Sequence, residues 1–246
     1  MSALHLIRIP LGLRALAAFA VAERVDDDDR GYATHLALRR RFGAAAPQPF
    51  RVFEKGAAGP YLLGYATDVP ALMDAAALPP PDDRLDTIFP ASPSARPMPD
   101  AWRSGARYAF EVRVRPVVRY GPEARAARLA SGKRGAKERD AFLAAVEKAG
   151  DGTVNREAVY AEWFVRQMSG AARLERATIT ALRRLSTRRS AHGRPGTSQI
   201  EGYDVLFAGS LAVGEPDAFA HLLARGVGRH AAFGFGMLAL APPRPG

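Results

Sequence analysis

The order of apolar segments is the feature that most restricts what this chain can fold into. Along the first half, segments with the alternation of strands and segments with the spacing of helices follow one another as strand, helix, strand, strand, helix, strand. The second half repeats that order. Since this is the order of the ferredoxin-like split βαβ motif, the sequence predicts an α+β protein of two tandem ferredoxin-like (RRM-like) βαββαβ domains.

Proline and glycine divide the first half into short elements. Its strands are predicted at residues 4–9, 50–55 and 61–66, with a weaker last strand near 87–89, and its helices at 11–22, 32–42 and 69–77. Residues 78–99 are rich in proline, which interrupts helices and central strands. We therefore expect an N-terminal domain over residues 1–90, a linker over 91–105 and a C-terminal domain over 106–246.

The second half has the clearer pattern. Its strands are predicted at residues 107–119, 172–184, 200–213 and 235–241, and its helices at 136–148, 155–168 and 216–225. An antiparallel sheet of this kind is the usual platform of RNA-recognition domains, but the aromatic strand motif of those domains is missing here. Any RNA must therefore be held by loops and helix ends.

The charge balance favours a polyanionic partner. The 246 residues include 35 Lys and Arg against 25 Asp and Glu, a net charge of +10, and arginine supplies nearly all of the basic side chains. Because the planar guanidinium pairs well with phosphate, this excess favours nucleic acid. A genome of high GC content would also enrich arginine and alanine, so charge alone does not decide the partner.

Composition also excludes several classes of site and location. A chain without cysteine forms no disulfide, no zinc–thiolate site and no thiol nucleophile, and it suits the cytoplasm, where we expect this protein. The sequence has no run of 18 apolar residues, so no membrane-spanning helix is expected. Residues 11–22 resemble the apolar core of a signal peptide, but Arg14 and the acidic run that follows argue against export.

Tyr32 and His35 form the first candidate site. Residues three apart lie on one face of a helix, so the phenol and the imidazole project together, with Arg39 on the same face and Arg40 beside it. Histidine exchanges protons near neutral pH, and a cation offsets the charge of a phosphorane, as RNA cleavage by its own 2′-OH requires. The alternative is a surface helix with an incidental histidine, since the motif by itself is weak.

The glycine-rich segment at residues 226–236 is the second candidate. It joins a predicted helix to the last strand and contains Gly226, Gly228, Arg229, His230, Gly234 and Gly236. Glycine lets backbone N–H groups turn toward a phosphate and permits close approach, so this segment is a candidate RNA-binding loop. A helix cap followed by a bulged strand is the alternative.

Two basic clusters are further candidates for RNA binding. A basic hairpin with a long tip can straddle a nucleic-acid groove, whereas a solvated arginine-rich loop is the alternative. The larger cluster lies between two predicted strands and contains Arg183, Arg184, Arg188, Arg189 and Arg194. The smaller one contains Lys133 and Arg134.

Four consecutive aspartates at residues 26–29 do not indicate a metal site. Neighbouring carboxylates point in different directions, whereas a two-metal site needs ligands that converge from separate elements. A solvated loop before a helix N-terminus, where acidic residues are favoured, explains them better. We therefore expect neither a metal nor another cofactor.

Taken together, these motifs resemble the CasE family, the CRISPR-associated endoribonuclease subunit of type I-E Cascade complexes in the repeat-associated (RAMP) superfamily. The resemblance covers most of the chain, and the order and spacing of its motifs agree with the family's. It lies in the segments YATHLALRRRFG, PFRVFEKG, VRVRPVVR followed by SGKR, and GYDVLFAGSLAV followed by GVGRHAAFGFGMLAL. The last of these is the most specific.

The resemblance implies a metal-independent cut at the stem-loop repeat of precursor CRISPR RNA. His35 would be the catalytic histidine and Tyr32 its partner, while Arg40 would stand where some members have an assisting lysine. The 2′-OH would attack and leave a 2′,3′-cyclic phosphate. The RNA, held largely by the second domain, would then stay bound as mature guide RNA among the other Cascade subunits.

Two departures from the family pattern affect these expectations. Ala231 stands where the family's glycine loop usually carries a lysine, so Arg229 and His230 would have to supply that charge. Residues 11–30 are also longer than the start expected for the family.

Two other functions fit the same residues. A catalytically silent RNA-binding subunit of the same superfamily would bind repeat RNA without cutting it. A structural ferredoxin-like module with a basic face for a protein partner would instead show little salt-sensitive RNA affinity.

Overall fold

The computed structural model describes residues 3–27, 30–132, 137–150, 152–190 and 197–243. It has two main sheets, each carrying the strand order of a ferredoxin-like domain, and the predicted fold class is confirmed. The first half consists of β1 (His5–Pro10), α1 (Leu13–Ala22), β2 (Asp26–Asp27), α2 (Gly31–Phe42), β3 (Phe50–Phe53), β4 (Tyr61–Ala66), α3 (Val69–Ala77), α4 (Arg84–Ile88) and β5 (Ser94–Pro97).

The first sheet has the order β3-β4-β1-β5, and all of its strands are antiparallel to their neighbours. The alternating residues Ile7 and Ile9 of β1 are fully buried against Leu16 and Phe19 of α1 and Leu38 of α2. This packing fixes α2, which carries Tyr32 and His35, over the N-terminal core.

The end of the first domain differs from the prediction. The strand predicted near residues 87–89 is wrong, because this segment closes α4. The last strand is β5, which lies inside the predicted linker and is the edge strand beside β1. An edge strand tolerates proline, so the proline content concealed a strand here. The first sheet consequently extends beyond residue 90.

The second half consists of β6 (Arg107–Val114), β7 (Val117–Arg119), α5 (Pro122–Ala130), β8 (Glu138–Asp140), α6 (Ala141–Ala149), α7 (Arg156–Met168), β9 (Ala172–Ser190), β10 (Thr197–Val213), α8 (Pro216–Arg225) and β11 (Leu238–Ala241). Its sheet has the order β11-β6-β10-β9-β2. Four large residues of α7 are buried in its core, namely Tyr160, Trp163, Phe164 and Met168.

Two predicted elements of this half are divided by short strands. The strand predicted over 107–119 breaks at Pro116, which has no N–H to donate, and continues as β7 paired with β8. The helix predicted over 136–148 begins at Ala141, because Asp140 accepts hydrogen bonds from Phe142 and Leu143 N–H and caps it. Residue 136 lies outside the described residues.

The two domains are joined by more than the connecting chain. Asp26 and Asp27, predicted to lie in a loop, form β2 and pair with the far edge strand β9, while residues 28 and 29 lie outside the described residues. Tyr65 of β4 is buried in the second domain's core and donates a hydrogen bond of 2.8 Å to the Leu238 carbonyl. The segment at residues 11–30, which is longer than the start expected for the family, thus contains α1 and β2.

No helix among the described residues is long and apolar enough to cross a membrane.

Candidate active site

Tyr32 and His35 lie together near the start of α2, as their spacing predicts. Their ring centroids are 6.4 Å apart, and both side chains are half-buried. The Phe233 ring, from a short 3₁₀ turn at Ala231–Phe233, lies 5.8 Å from Tyr32 and 5.3 Å from His35. It meets the imidazole edge-on, at an interplanar angle of 76°. The glycine-rich segment therefore packs on α2, and the two candidate motifs form one site.

A carboxylate holds the other side of the same turn. Glu138 of β8 accepts from Arg229 Nε at 2.5 Å, and its other oxygen lies 3.0 Å from His230 Nε2. The His230 ring is 6.2 Å from Phe233 and its backbone is left-handed, with φ of 69°. Glu138 thus ties the glycine-rich segment to β8, which begins directly after the basic segment containing Lys133 and Arg134.

The backbone of the glycine-rich segment is largely bonded within the protein. Gly236 N–H donates to the Arg113 carbonyl at 2.7 Å, Val227 N–H to the Gly236 carbonyl at 2.8 Å, and Gly226 N–H to the Leu222 carbonyl at 2.8 Å. These N–H groups cannot also hold a phosphate in this conformation, contrary to the prediction for Gly226 and Gly236. At Gly228, with φ of +76°, an added Cβ would lie 2.8 Å from the Trp163 ring.

The sequence profile of the CRISPR associated protein family matches residues 4–242. The chain belongs to this CRISPR-associated family. The comparison with curated proteins found no match. This match confirms the CRISPR-associated family that the motifs indicate, and solved structures of Cse3 and Cas6e have a similar fold.

The fold of this CRISPR-associated protein is similar to solved structures over nearly its whole length. A CRISPR endoribonuclease Cse3 bound to 19-nucleotide RNA has 22% identity and a TM-score of 0.63, covering 98% of this chain and 100% of that one. Cas6e from Escherichia coli K-12 has 20% identity and a TM-score of 0.54, covering 98% and 99%. A chain of a CRISPR RNA-guided surveillance complex, pre-nicking, has 19% identity and a TM-score of 0.54, covering 97% and 100%.

Arg40 of the CRISPR-associated protein lies in a cluster on another side of α2. Its guanidinium makes two hydrogen bonds to Glu23, at 2.7 and 2.5 Å, and lies 3.6 Å from Asp82 and 5.1 Å from the Phe19 ring centroid. Arg84 pairs with the same two carboxylates. These contacts stabilise α1, α2 and α4 against one another, and they do not support the electrostatic role in catalysis predicted for Arg40.

Among the other predicted basic residues, the described ones lie on separate elements. Arg39 is exposed and lines a pocket together with Gln48 and Ala224. Arg183 is 67% exposed and pairs with Asp204 across β9 and β10, and Arg184 is also exposed. The side chains of Arg188 and Arg189, within β9, are not described, and Arg194, Lys133 and Arg134 lie outside the described residues. Among the described residues, Arg39 and Arg183 thus line two different pockets, and His35 lines neither of them.

Sequence reasoning missed three residues that shape the site. Phe233 lay within the glycine-rich segment, where an aromatic residue between small residues was the available signal. Glu138 and Asp204 gave no local signal, because their arginine partners come from other strands or loops. Among the described residues, no group of three or more His, Cys, Asp or Glu side chains is placed to hold a metal ion.

Proposed function

We propose that this CRISPR-associated protein is a metal-independent endoribonuclease that cuts the stem-loop repeats of precursor CRISPR RNA. The observation that carries the proposal is the group formed by Tyr32, His35 and Phe233, where two motifs from opposite ends of the chain meet. The full-length similarity of fold to a Cse3 bound to RNA supports it.

The chemistry needs two proton transfers and no oxidant or reductant. The 2′-oxygen bonds to phosphorus as the bond from phosphorus to the 5′-oxygen breaks, leaving a 2′,3′-cyclic phosphate and a 5′-hydroxyl. The 2′-OH loses a proton and the departing 5′-oxygen gains one. An imidazole such as that of His35 can serve either transfer, whereas a phenol such as that of Tyr32 suits donation of a proton or a hydrogen bond.

The product would remain bound as mature guide RNA within a Cascade complex. The similarity of this fold to a chain of a CRISPR RNA-guided surveillance complex supports that assembly. The net charge of +10 would favour retention of the RNA.

Incubation of the protein with its own repeat hairpin RNA in EDTA tests the proposal. We expect wild-type protein to cut, His35→Ala to lose roughly 10²–10⁴-fold in single-turnover rate, and a 2′-deoxy at the cleaved nucleotide to abolish the cut. His221→Ala, which changes an exposed histidine on α8, is the control and should cut normally. A cut that EDTA abolishes, or that His35→Ala leaves intact, contradicts the proposal.

A catalytically silent RNA-binding subunit is the second candidate. The engagement of Arg40 by Glu23 and the presence of Ala231 in place of a lysine favour it, since both reduce the positive charge available at His35. In the same assay it predicts tight, salt-sensitive binding of the hairpin without any cut.

A further inference from the structure

A pocket of about 290 Å³ lies between the two domains. Its polar lining comes from both of them, from the start of α2 and β3 on one side and from β6, β9 and β10 on the other. These side chains are Arg30, Thr34, Arg51, Glu54, Arg113, Arg183 and Asp204. Pockets at domain interfaces are common ligand sites, and this volume is at the lower end of the usual range of roughly 300–1,000 Å³.

The pocket lining carries an excess of positive charge, because its four arginines outnumber its two carboxylates, Glu54 and Asp204. Asp204, which is 4% exposed, accepts from Arg113 Nε at 2.9 Å and lies 3.2 Å from Arg183 Nη2, so one carboxylate serves two guanidinium groups. Arg51 is paired with Glu111 at 2.5 Å and Arg30 lies 3.8 Å from Glu54. Arg51 and Arg113 are only 13% and 14% exposed, so the pocket holds their guanidinium groups in place.

The remaining walls are apolar. Leu13 and Leu16 of α1 face Ala181 and Leu206 of the second sheet across the pocket. A group with a phosphate and a flat apolar body fits this combination, because guanidinium pairs with phosphate oxygens and a base or ribose can pack on aliphatic side chains.

The pocket adjoins the candidate active site through two connections. Thr34 lines the pocket, and the next residue, His35, contacts Phe233. On the other side, the Arg113 guanidinium lies 4.4 Å from the centroid of Phe235, two residues beyond Phe233. The pocket and the candidate active site are thus linked by neighbouring residues of α2 and by the contact of Arg113 with the glycine-rich segment.

We propose that this pocket binds one nucleotide of single-stranded RNA that flanks the cleaved bond, with its phosphate at the arginines. The inference rests on the proposed function for the identity of the RNA. A duplex is excluded by the size of the pocket, so the ligand is a nucleotide outside the stem. Arg30 and Arg183, 43% and 67% exposed, stand where the phosphate enters.

The experiment compares two fluorescein-labelled RNAs, each with a 2′-deoxy at the cleaved position so that neither is cut. One is the repeat hairpin with its single-stranded flanks and the other is trimmed to the stem-loop. Kd is measured by anisotropy over a range of salt concentrations for wild type, for the double variant Arg30→Gln/Arg183→Gln and for Arg173→Gln. Arg173 is the matched control, because it is on the same strand as Arg183, is 71% exposed and pairs with Glu175.

We expect the double variant to bind the flanked RNA about tenfold more weakly and the trimmed RNA within about twofold of wild type. Its salt slope for the flanked RNA should fall by roughly 0.7, since each phosphate of a single strand that the protein neutralises contributes about 0.7 and the pocket is proposed to hold one. Arg173→Gln should leave the Kd for both RNAs unchanged. Equal weakening of both RNAs, or no weakening, overturns the proposal.

A second arm separates an RNA strand from a free nucleotide. If AMP binds wild type and not the double variant while the flanked RNA keeps its affinity, the pocket takes a free nucleotide and the proposal is wrong. None of these binding measurements requires cleavage, so they test the pocket even if the protein does not cut RNA. Failure here also leaves the cleavage test of His35 unaffected. Melting temperatures of both variants within a few degrees of wild type establish that they fold.

Discussion

The His35 imidazole packs against a ring that its own helix cannot supply. Phe233 meets it edge-on at 5.3 Å and also contacts Tyr32. This packing restricts rotation of both side chains and keeps them on the same side of α2. Because the rate of the proposed RNA cleavage would depend on alignment of the proton-transfer group, we propose that Phe233 is a positioning residue rather than a catalytic one.

Phe233→Ala should slow cleavage by about 10–100-fold while changing the Kd for repeat RNA by no more than about twofold, because alignment is lost but phosphate contacts stay. Phe233→Tyr, which keeps the ring, should restore most of the rate. Single-turnover cleavage and anisotropy measure the two quantities. Tyr108→Ala, which removes a half-buried ring 5.6 Å from the Trp102 ring, is the control for aromatic loss elsewhere. A proportional loss of affinity would show that Phe233 contacts RNA instead.

The ion cluster around Arg40 predicts a dependence of stability on pH. Hydrogen bonding from Arg40 lowers the pKa of Glu23 below its ordinary value of 4.5. A lowered carboxyl pKa stabilises the fold above the unfolded-state value, and this stabilisation disappears as the pH falls through the lowered pKa. Glu23→Gln should therefore lower Tm at pH 7, and the difference from wild type should shrink below pH 4.5.

Melting curves of both proteins between pH 7 and about pH 3 test this sign. Glu162→Gln is the control, because Glu162 pairs with Arg166 at the surface, is 72% exposed and should give little change at any pH. A difference that grows on acidification would contradict the role given to Glu23.

At the scale of elements, the conformation of the glycine-rich segment is set by packing as well as by its positive φ angles. At Gly236, with φ of +79°, an added Cβ would lie 2.6 Å from the Val227 carbonyl oxygen. Gly105 has nearly the same φ, +78°, with no atom within 4 Å of that position. Comparing substitutions at Gly236 and Gly105 therefore separates the effect of backbone strain from the effect of a steric clash.

Gly105→Ala should cost about 1–2 kcal/mol, the strain of a left-handed residue, and leave cleavage unchanged. Gly236→Ala should cost more and slow cleavage as well, since the segment that carries Phe233 must shift. Denaturant unfolding and single-turnover cleavage measure the two effects. Equal stability losses and equal rates for the two variants would show that the close packing at Gly236 is unimportant.

Regular elements were predictable and their irregular connections were not. β4, α3 and α8 have the bounds that their apolar periodicity predicts. By contrast, β5 is a strand because β1 offers it a partner, not because its own residues favour one. β8 likewise depends on pairing with β7. The residues of β5 and β8 do not themselves show which strands they will pair with.

At the scale of the whole molecule, the site depends on how the two domains meet. The proximity of Tyr32 and His35 follows from their spacing on one helix, whereas the contact of His35 with Phe233 and the pocket around Arg113 arise only when the domains pack. The contacts of Arg40 with Glu23 and Asp82 were also unpredictable, because they join separate elements of the first domain.

The buried hydrogen bond from Tyr65 to the Leu238 carbonyl is a direct test of that packing. Tyr65→Phe should destabilise the fold by about 1–2 kcal/mol, because the carbonyl loses its donor in a buried place. Tyr61→Phe, on the same strand with a half-buried ring, should cost less. Denaturant unfolding measures both, and equal losses would contradict a specific interdomain role for Tyr65.

The central claim, that His35 promotes attack by the 2′-OH, is tested most directly by the chemical nature of the new RNA ends. Repeat RNA is cut in EDTA and both fragments are weighed by mass spectrometry. We predict a 2′,3′-cyclic phosphate on the upstream fragment and a 5′-hydroxyl on the downstream fragment. A 3′-hydroxyl together with a 5′-phosphate would mean that water attacked the phosphorus, and would contradict the mechanism built on Tyr32 and His35.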